Sequence, residues 1–344
     1  MDGHDDYERA WADISTGLMQ LLTLTQPFPH AYWVDIYTKV FKVCSSASDP
    51  RPQQLYEDIS ALLIRHCQGT LRDLQQLAGA DMPAAFLTYS EAYFKGTDYI
   101  AAITQYLNRW WISKRCQPNC TPSSVGAGVF PVPLLAARIM FDELFAPAQE
   151  MLFDAMMQRI KHTRDQRAKQ GGSERGVTSF GQLRTLMAAL RQLDAQLHSP
   201  PSNVQRVRGR CAYVLFEESF LRHSVDYYTR EGRVLQTGCS CTEFMLAVHK
   251  LLQQEKEDAT QWLPSESLAC LSQCCLIALV YAHREFLCSC IPQLLQEDCR
   301  DDLRRLYQLI KPAQGLPAFT RALQRHVEEC GAELRSIRDP LEAS

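Results

Sequence analysis

Fourteen cysteines and nine histidines stand among 344 residues. That is enough thiol and imidazole to raise a metal site, a disulfide framework or a nucleophile beside a base. Cys116 and Cys120 in CQPNC, and Cys239 and Cys241 in GCSC, come nearest to ligand-like spacing. Tetrahedral zinc needs four ligands, and neither pair has a second CxxC or an HxxxH to complete the set. Cys270, Cys274, Cys275, Cys288 and Cys290 fall among Leu, Ile, Ala and Val at helical spacing. There a free thiol behaves as a small hydrophobe. No metal and no cofactor is expected. His66, His223, His249, His283 and His326 all sit in helical patterns, where a surface or hydrogen-bonded role is the ordinary one. The sequence holds no GxxxxGK[ST], no GxGxxG after a strand, no HExxH and no GxSxG. Nothing local marks a nucleophile beside a base. The chain reads as non-catalytic.

Composition narrows the partners. The chain is 46% hydrophobic and 22% charged, with 36 basic and 39 acidic side chains and a formal charge of -3. Such a balance gives no electrostatic case for nucleic acid, and the short patch Arg206, Arg208 and Arg210 in RVRGR reads as solvated surface. The longest apolar run, CCLIALVYA at 274–282, is too short to span a bilayer, so no membrane partner is expected. MDGHDDYERA is the opposite of a targeting peptide, which points to the cytoplasm and nucleus and to reduced thiols.

Apolar residues recur every three or four positions, so an all-α chain is expected, long enough for two or three cores. The first helices are placed at about 6–25, 31–46, 53–78 and 82–94, with a fifth at 97–116 that starts at KGTD. The segment 116–133 is rich in Pro, Gly and Ser and reads as a connector. An amphipathic stretch follows at 134–168, then helices at 178–197, 204–229, 241–261, 265–296, 298–311 and 316–334.

Two of these helices carry more aromatic surface than one core needs. On the fifth, Ile100, Ile103, Leu107 and Trp111 make one continuous face, while Tyr99, Tyr106 and Trp110 form a neighbouring stripe beside Arg109 and Lys114. On the second, Ile36, Val40 and Val43 can face inward, while Trp33, Tyr37 and Phe41 lie on another side next to Val34. Adjacent helical positions point about 100° apart, so one buried face hardly claims both Trp110 and Trp111. Either both stripes are buried in a central bundle helix, or the second stripe is a protein-binding patch. Tyr, Trp and Arg anchor such patches.

Three stretches resemble the amino-terminal half of a cullin: AYWVDIYTKVFKVC (31–44), YFKGTDYIAAITQYLNRWWISK (93–114) and LRRLYQLIKPAQGLPAFTRALQRHVEECG (303–331). Weaker matches at Trp11 and Ile14, at 216–232 and at 251–267 extend the likeness over nearly the whole chain. The resemblance implies an elongated stalk of stacked five-helix cullin repeats at 1–120, 121–250 and 251–344, the third incomplete. Such repeats touch mainly their neighbours and act as a rigid spacer. It also implies a non-catalytic scaffold subunit of a ubiquitin ligase, whose first repeat binds an adaptor of the BTB/POZ fold. Carried over residue by residue, the adaptor contacts are Trp33, Val34, Tyr37 and Phe41 on the second helix, and Tyr106, Arg109 and Trp110 on the fifth. Trp111 then belongs to the core and Trp110 to the partner.

FKGTDYI, PRPQQLY and GLPAFTRALQRHV resemble the cullin-2 class, whose adaptor is elongin C with elongin B and a substrate receptor. YLNRWW and IYTKVF fit the cullin-1 class and its S-phase-kinase-associated adaptor equally well. The half of a cullin that wraps a RING-box protein is not in this sequence, so that protein is not expected to bind. A decoy or regulator without ligase activity, or an unrelated helical-rod tethering protein, are the alternative readings. Ser90 departs from the family, which often has a large aromatic in the fourth helix. A cavity there would cost roughly 3–5 kcal/mol, so repacking around Ser90 is expected.

Overall fold

The computed structural model describes residues 2–23, 29–46, 49–77, 79, 81–115, 128–169, 180–198 and 211–342. Every regular element among them is helical. The chain forms two compact units, Met1–Phe216 and Glu217–Ser344.

The first unit opens with α1 (Asp2–Thr23), α2 (His30–Ser45), α3 (Pro52–Gln76) and α4 (Met82–Ile103). Past Thr104 the backbone widens into a π-helical segment, Leu107–Ile112, seen in the bond from Ser113 N to Asn108 O at 3.1 Å. Then come α5 (Val132–Ile139), a second π-helical segment (Met140–Phe145), α6 (Ala146–Lys169) and α7 (Gly181–Leu197). Ile14, Leu18, Leu21 and Leu22 of α1 are buried against α4, and Ile36 and Val40 of α2 join them. Aromatic rings continue the core: Phe86 meets Phe145 at 6.5 Å, Phe145 meets Phe153 at 6.0 Å, and Phe153 meets Phe216 at 5.5 Å.

The expected break at KGTD does not occur. Lys95, Gly96, Thr97 and Asp98 lie inside α4, which runs on to Ile103. The reason is tertiary. A Cβ on Gly96 would stand 2.5 Å from the Leu21 carbonyl oxygen, so the missing side chain lets α4 approach the α1 backbone. Glycine serves contact here rather than a turn. Ser90 is buried and its hydroxyl donates to Phe86 O at 2.7 Å, while Phe86 and Tyr93 beside it are fully enclosed.

The second unit contains all but the first turn of α8 (Ala212–Gly238), with α9 (Cys241–Ala259) and α10 (Ser265–Leu276). A third π-helical segment (Ile277–Tyr281) leads to α11 (Arg284–Ser289), α12 (Ile291–Gln296), α13 (Arg300–Ile310) and α14 (Leu316–Glu342). The single helix expected over 265–296 is therefore broken, with a bend of 53° between Ser265–Tyr281 and Arg284–Gln296. No single described helix is long and apolar enough to cross a membrane. Phe220 meets Trp262 edge-on at 5.1 Å, and Tyr228 donates to the buried Glu255 carboxylate at 2.6 Å.

His283 sits at the bend and is 6% exposed. Its Nδ1 pairs with Gln236 Oε1 at 2.8 Å, and its Nε2 lies against Gly232, where a Cβ would come within 2.5 Å. Burial, with the nearby Arg233 charge, lowers its pKa below the ordinary 6.5. The sign follows: a neutral folded histidine adds stability above about pH 6.5, which is lost as the pH falls towards its depressed folded value. Thermal melts of the chain at pH 7.5 and 5.5 are expected to show a drop that shrinks in His283→Gln.

Candidate functional site

The two aromatic stripes meet on one surface. In α2, four-residue spacing stacks Trp33 on Tyr37, with centroids 5.5 Å apart and planes 8° apart. One turn on, Phe41 reaches across to the neighbouring segment and meets Tyr106 edge-on at 4.7 Å. Tyr106 touches Trp110 at 6.1 Å, and the Lys114 ammonium lies 5.7 Å from the Trp110 ring. Rings from two helices thus make one continuous outward patch, each pair adding about 0.5–1.5 kcal/mol beyond area burial.

The patch is open to solvent. Trp110 is 57% exposed, Val34 42% and Phe41 41%. Trp33, Tyr37 and Tyr106 are half-buried, and Arg109 is exposed. The opposite faces of the same elements are closed: Ile36, Val40, Ile100, Ile103 and Leu107 are all within 1% of complete burial. All seven expected contact residues are therefore exposed or half-buried rather than enclosed in the core. Trp111 faces the other way but is half-buried, packing on Tyr56 at 5.5 Å with the Arg115 guanidinium 4.5 Å over its ring. Tyr99, expected in the stripe of Tyr106 and Trp110, is 52% exposed about two turns before Tyr106.

Polar contacts tie the elements of the patch to their neighbours. Asn108, between the two stripes, accepts from Val132 N at 2.9 Å and so ties the π-helical segment to the start of α5. Tyr56 OH accepts from Phe130 N at 3.0 Å on the same side. The buried Thr104 hydroxyl donates to Ile100 O at 2.8 Å, satisfied where the helix changes pitch. On the rim, the Asp35 charge is already engaged. Lys39 Nζ bridges Asp35 and Asp13, both at 2.7 Å, and hydrogen bonds to the two carboxylates raise its pKa. Arg109 and Lys114 remain as the rim charges on the other element.

His30, one residue before the helix expected at 31–46, adds a further ring. It stacks near Trp33 at 6.4 Å and 20°. Its spacing of three from Trp33 is the signal that could have placed it on this face.

The other candidate groups are scattered. Cys116, Cys120, Arg206, Arg208 and Arg210 lie outside the described residues. Among the described residues no three His, Cys, Asp or Glu side chains are grouped to hold a metal. His66 stacks on Tyr93 at 6.2 Å, and burial lowers its pKa.

A helical chain with this face matches known proteins along nearly its whole length. The cullin alpha solenoid domain matches residues 11–342. Cullin-1 of Dictyostelium discoideum is 24% identical over 342 residues, which cover 94% of this chain and 42% of that protein. Cullin-2 of Caenorhabditis elegans is 22% identical over 95% of this chain and 42% of its own length. The putative cullin-like protein 2 of Arabidopsis thaliana is 22% identical, with 95% of this chain and 82% of that protein covered. The chain thus spans less than half the length of the first two relatives. With a family match across residues 11–342, this chain belongs to the cullin family.

Proposed function

We propose that this chain serves as the adaptor-docking stalk of a ubiquitin-ligase scaffold, without catalytic residues of its own. The observation that carries the reading is the ring patch shared by α2 and Leu107–Ile112, with Trp110 57% exposed at its edge. Aromatic side chains on rigid elements lose little entropy on binding and bury much area, which is why they dominate hot spots. Trp33, Tyr37, Phe41, Tyr106 and Trp110 supply the apolar centre, Val34 extends it, and Arg109 pairs at the rim. The three repeats, bounded near residues 120 and 250, belong to the same proposal, as does residence in the cytoplasm and nucleus.

The occupant we propose is a BTB/POZ-fold protein, elongin C carrying elongin B and a substrate receptor. The FKGTDYI and PRPQQLY likeness to the cullin-2 class supports this choice over the S-phase-kinase-associated adaptor. Titration calorimetry of the chain against each adaptor separates them. Saturable binding of the elongin C–elongin B complex is expected. Binding of the other adaptor alone would reassign the class, and binding of neither would overturn the reading.

A further inference from the structure

Among the described cysteines, Cys241 and Cys290 are both held against α11. Cys241 is the first residue of α9, where the backbone is fixed by a reciprocal cap: Ser240 accepts from Glu243 N, and Glu243 accepts from Ser240 N at 2.9 Å. Cys290 lies at the junction of α11 and α12, its thiol donating to Phe286 O at 3.4 Å. The Cys241 sulfur approaches the next carbonyl, Leu287 O, at 4.0 Å. Cys241 and Cys290 thus sit against consecutive carbonyls of one helix, which brings their sulfurs to the same side of it. Both cysteines are half-exposed, whereas Cys67, Cys275 and Cys288 are buried.

We propose that Cys241 and Cys290 form a redox-active dithiol, which a hydroperoxide converts into a disulfide joining the start of α9 to the α11–α12 junction. The two thiols are not equivalent. The bond received from Cys241, assisted by Ser289, brings Cys290 down to about 7, while donating it pushes Cys241 upward. The Asp302 carboxylate facing Cys241 acts in the same upward sense, and is itself engaged by Arg305 and by Thr242 Oγ1 at 3.3 Å. Cys290 is therefore the thiolate and Cys241 the resolving thiol.

The electron count closes. Cys290 thiolate attacks one peroxide oxygen, the O–O bond breaks, and hydroxide leaves as Cys290 becomes the sulfenic acid. Hydroxide takes the Cys241 proton and becomes water. The Cys241 thiolate attacks the sulfenyl sulfur, the S–S bond forms, and a second hydroxide leaves and is protonated by solvent. Two thiols are oxidised by two electrons in total and one peroxide is reduced to two waters.

The test uses the full chain treated with hydrogen peroxide, blocked with iodoacetamide and digested with trypsin. The expected product is a reductant-sensitive link between peptides 234–250 and 285–300. Each peptide also holds other cysteines, Cys239 in the first and Cys288 and Cys299 in the second, so variants assign the bond. The link is expected to vanish in Cys241→Ser and in Cys290→Ser, and to persist in Cys239→Ser and Cys299→Ser. No link in the unmutated chain, or one that survives either of the first two changes, would overturn the proposal. A second reading needs no variant: at pH 7, iodoacetamide is expected to modify Cys290 about tenfold faster than the more exposed Cys270. Equal rates, or a slower Cys290, would also overturn it.

Discussion

Gly96→Ala is expected to destabilise the first unit by about 3 kcal/mol, the upper end of ordinary overpacking. The new methyl would stand 2.5 Å from Leu21 O and 2.9 Å from both Leu21 C and Leu22 Cα. These are backbone atoms, so no rotamer change relieves the clash, and α1 must move away from α4. Alanine's better helix propensity returns only about 1 kcal/mol. Gly69, inside α3, is the matched control because a Cβ there meets nothing within 4 Å. Gly69→Ala is expected to be neutral or stabilising by up to about 1 kcal/mol. The chain has two compact units, so a single unfolding midpoint mixes them. Amide exchange in α1 and α4 peptides reads the effect locally: faster exchange in Gly96→Ala, and unchanged or slower exchange in Gly69→Ala.

The second large effect is on binding. Tyr37→Ala combined with Trp110→Ala is expected to weaken adaptor binding by at least 100-fold, about 3 kcal/mol. The two rings lie on different elements, Tyr37 stacked on Trp33 and Trp110 against Tyr106, so their loss removes an anchor from each. Trp110 is 57% exposed and Tyr37 half-buried on the outer face, so helicity by circular dichroism is expected to stay unchanged. Trp111→Ala is the contrasting variant. Its ring packs on Tyr56 under Arg115, so it is expected to lower stability as well as binding.

Periodicity made the patch legible and missed much of what positions it. Spacings of three and four separated Ile36 and Val40 from Trp33, Tyr37 and Phe41 because sidedness is a local property of a helix. The edge contact between Phe41 and Tyr106 is a tertiary fact that no single-helix pattern contains. A helix start at KGTD is a local reading, whereas the role of Gly96 depends on Leu21, distant in sequence. The π-helical segments at Leu107–Ile112, Met140–Phe145 and Ile277–Tyr281 were also invisible. In the first of them the wider turn moves the buried face from the expected Trp111, which is half-buried, to Ile112, which is 1% exposed. The last of them precedes the 53° bend that splits the helix expected over 265–296. Asp35 pairs with Lys39 at four-residue spacing within α2, and only the second bridge, from Lys39 to Asp13, requires α1 to meet α2.

The most direct measurement is oxidative footprinting of the tryptophans, in the free chain and with saturating elongin C–elongin B. Trp110 is expected to be modified readily in the free chain and strongly protected in the complex, with Trp33 protected alongside it and Trp262, 5% exposed, slow in both. A complex that forms while Trp110 stays as reactive as in the free chain would contradict the assigned docking face.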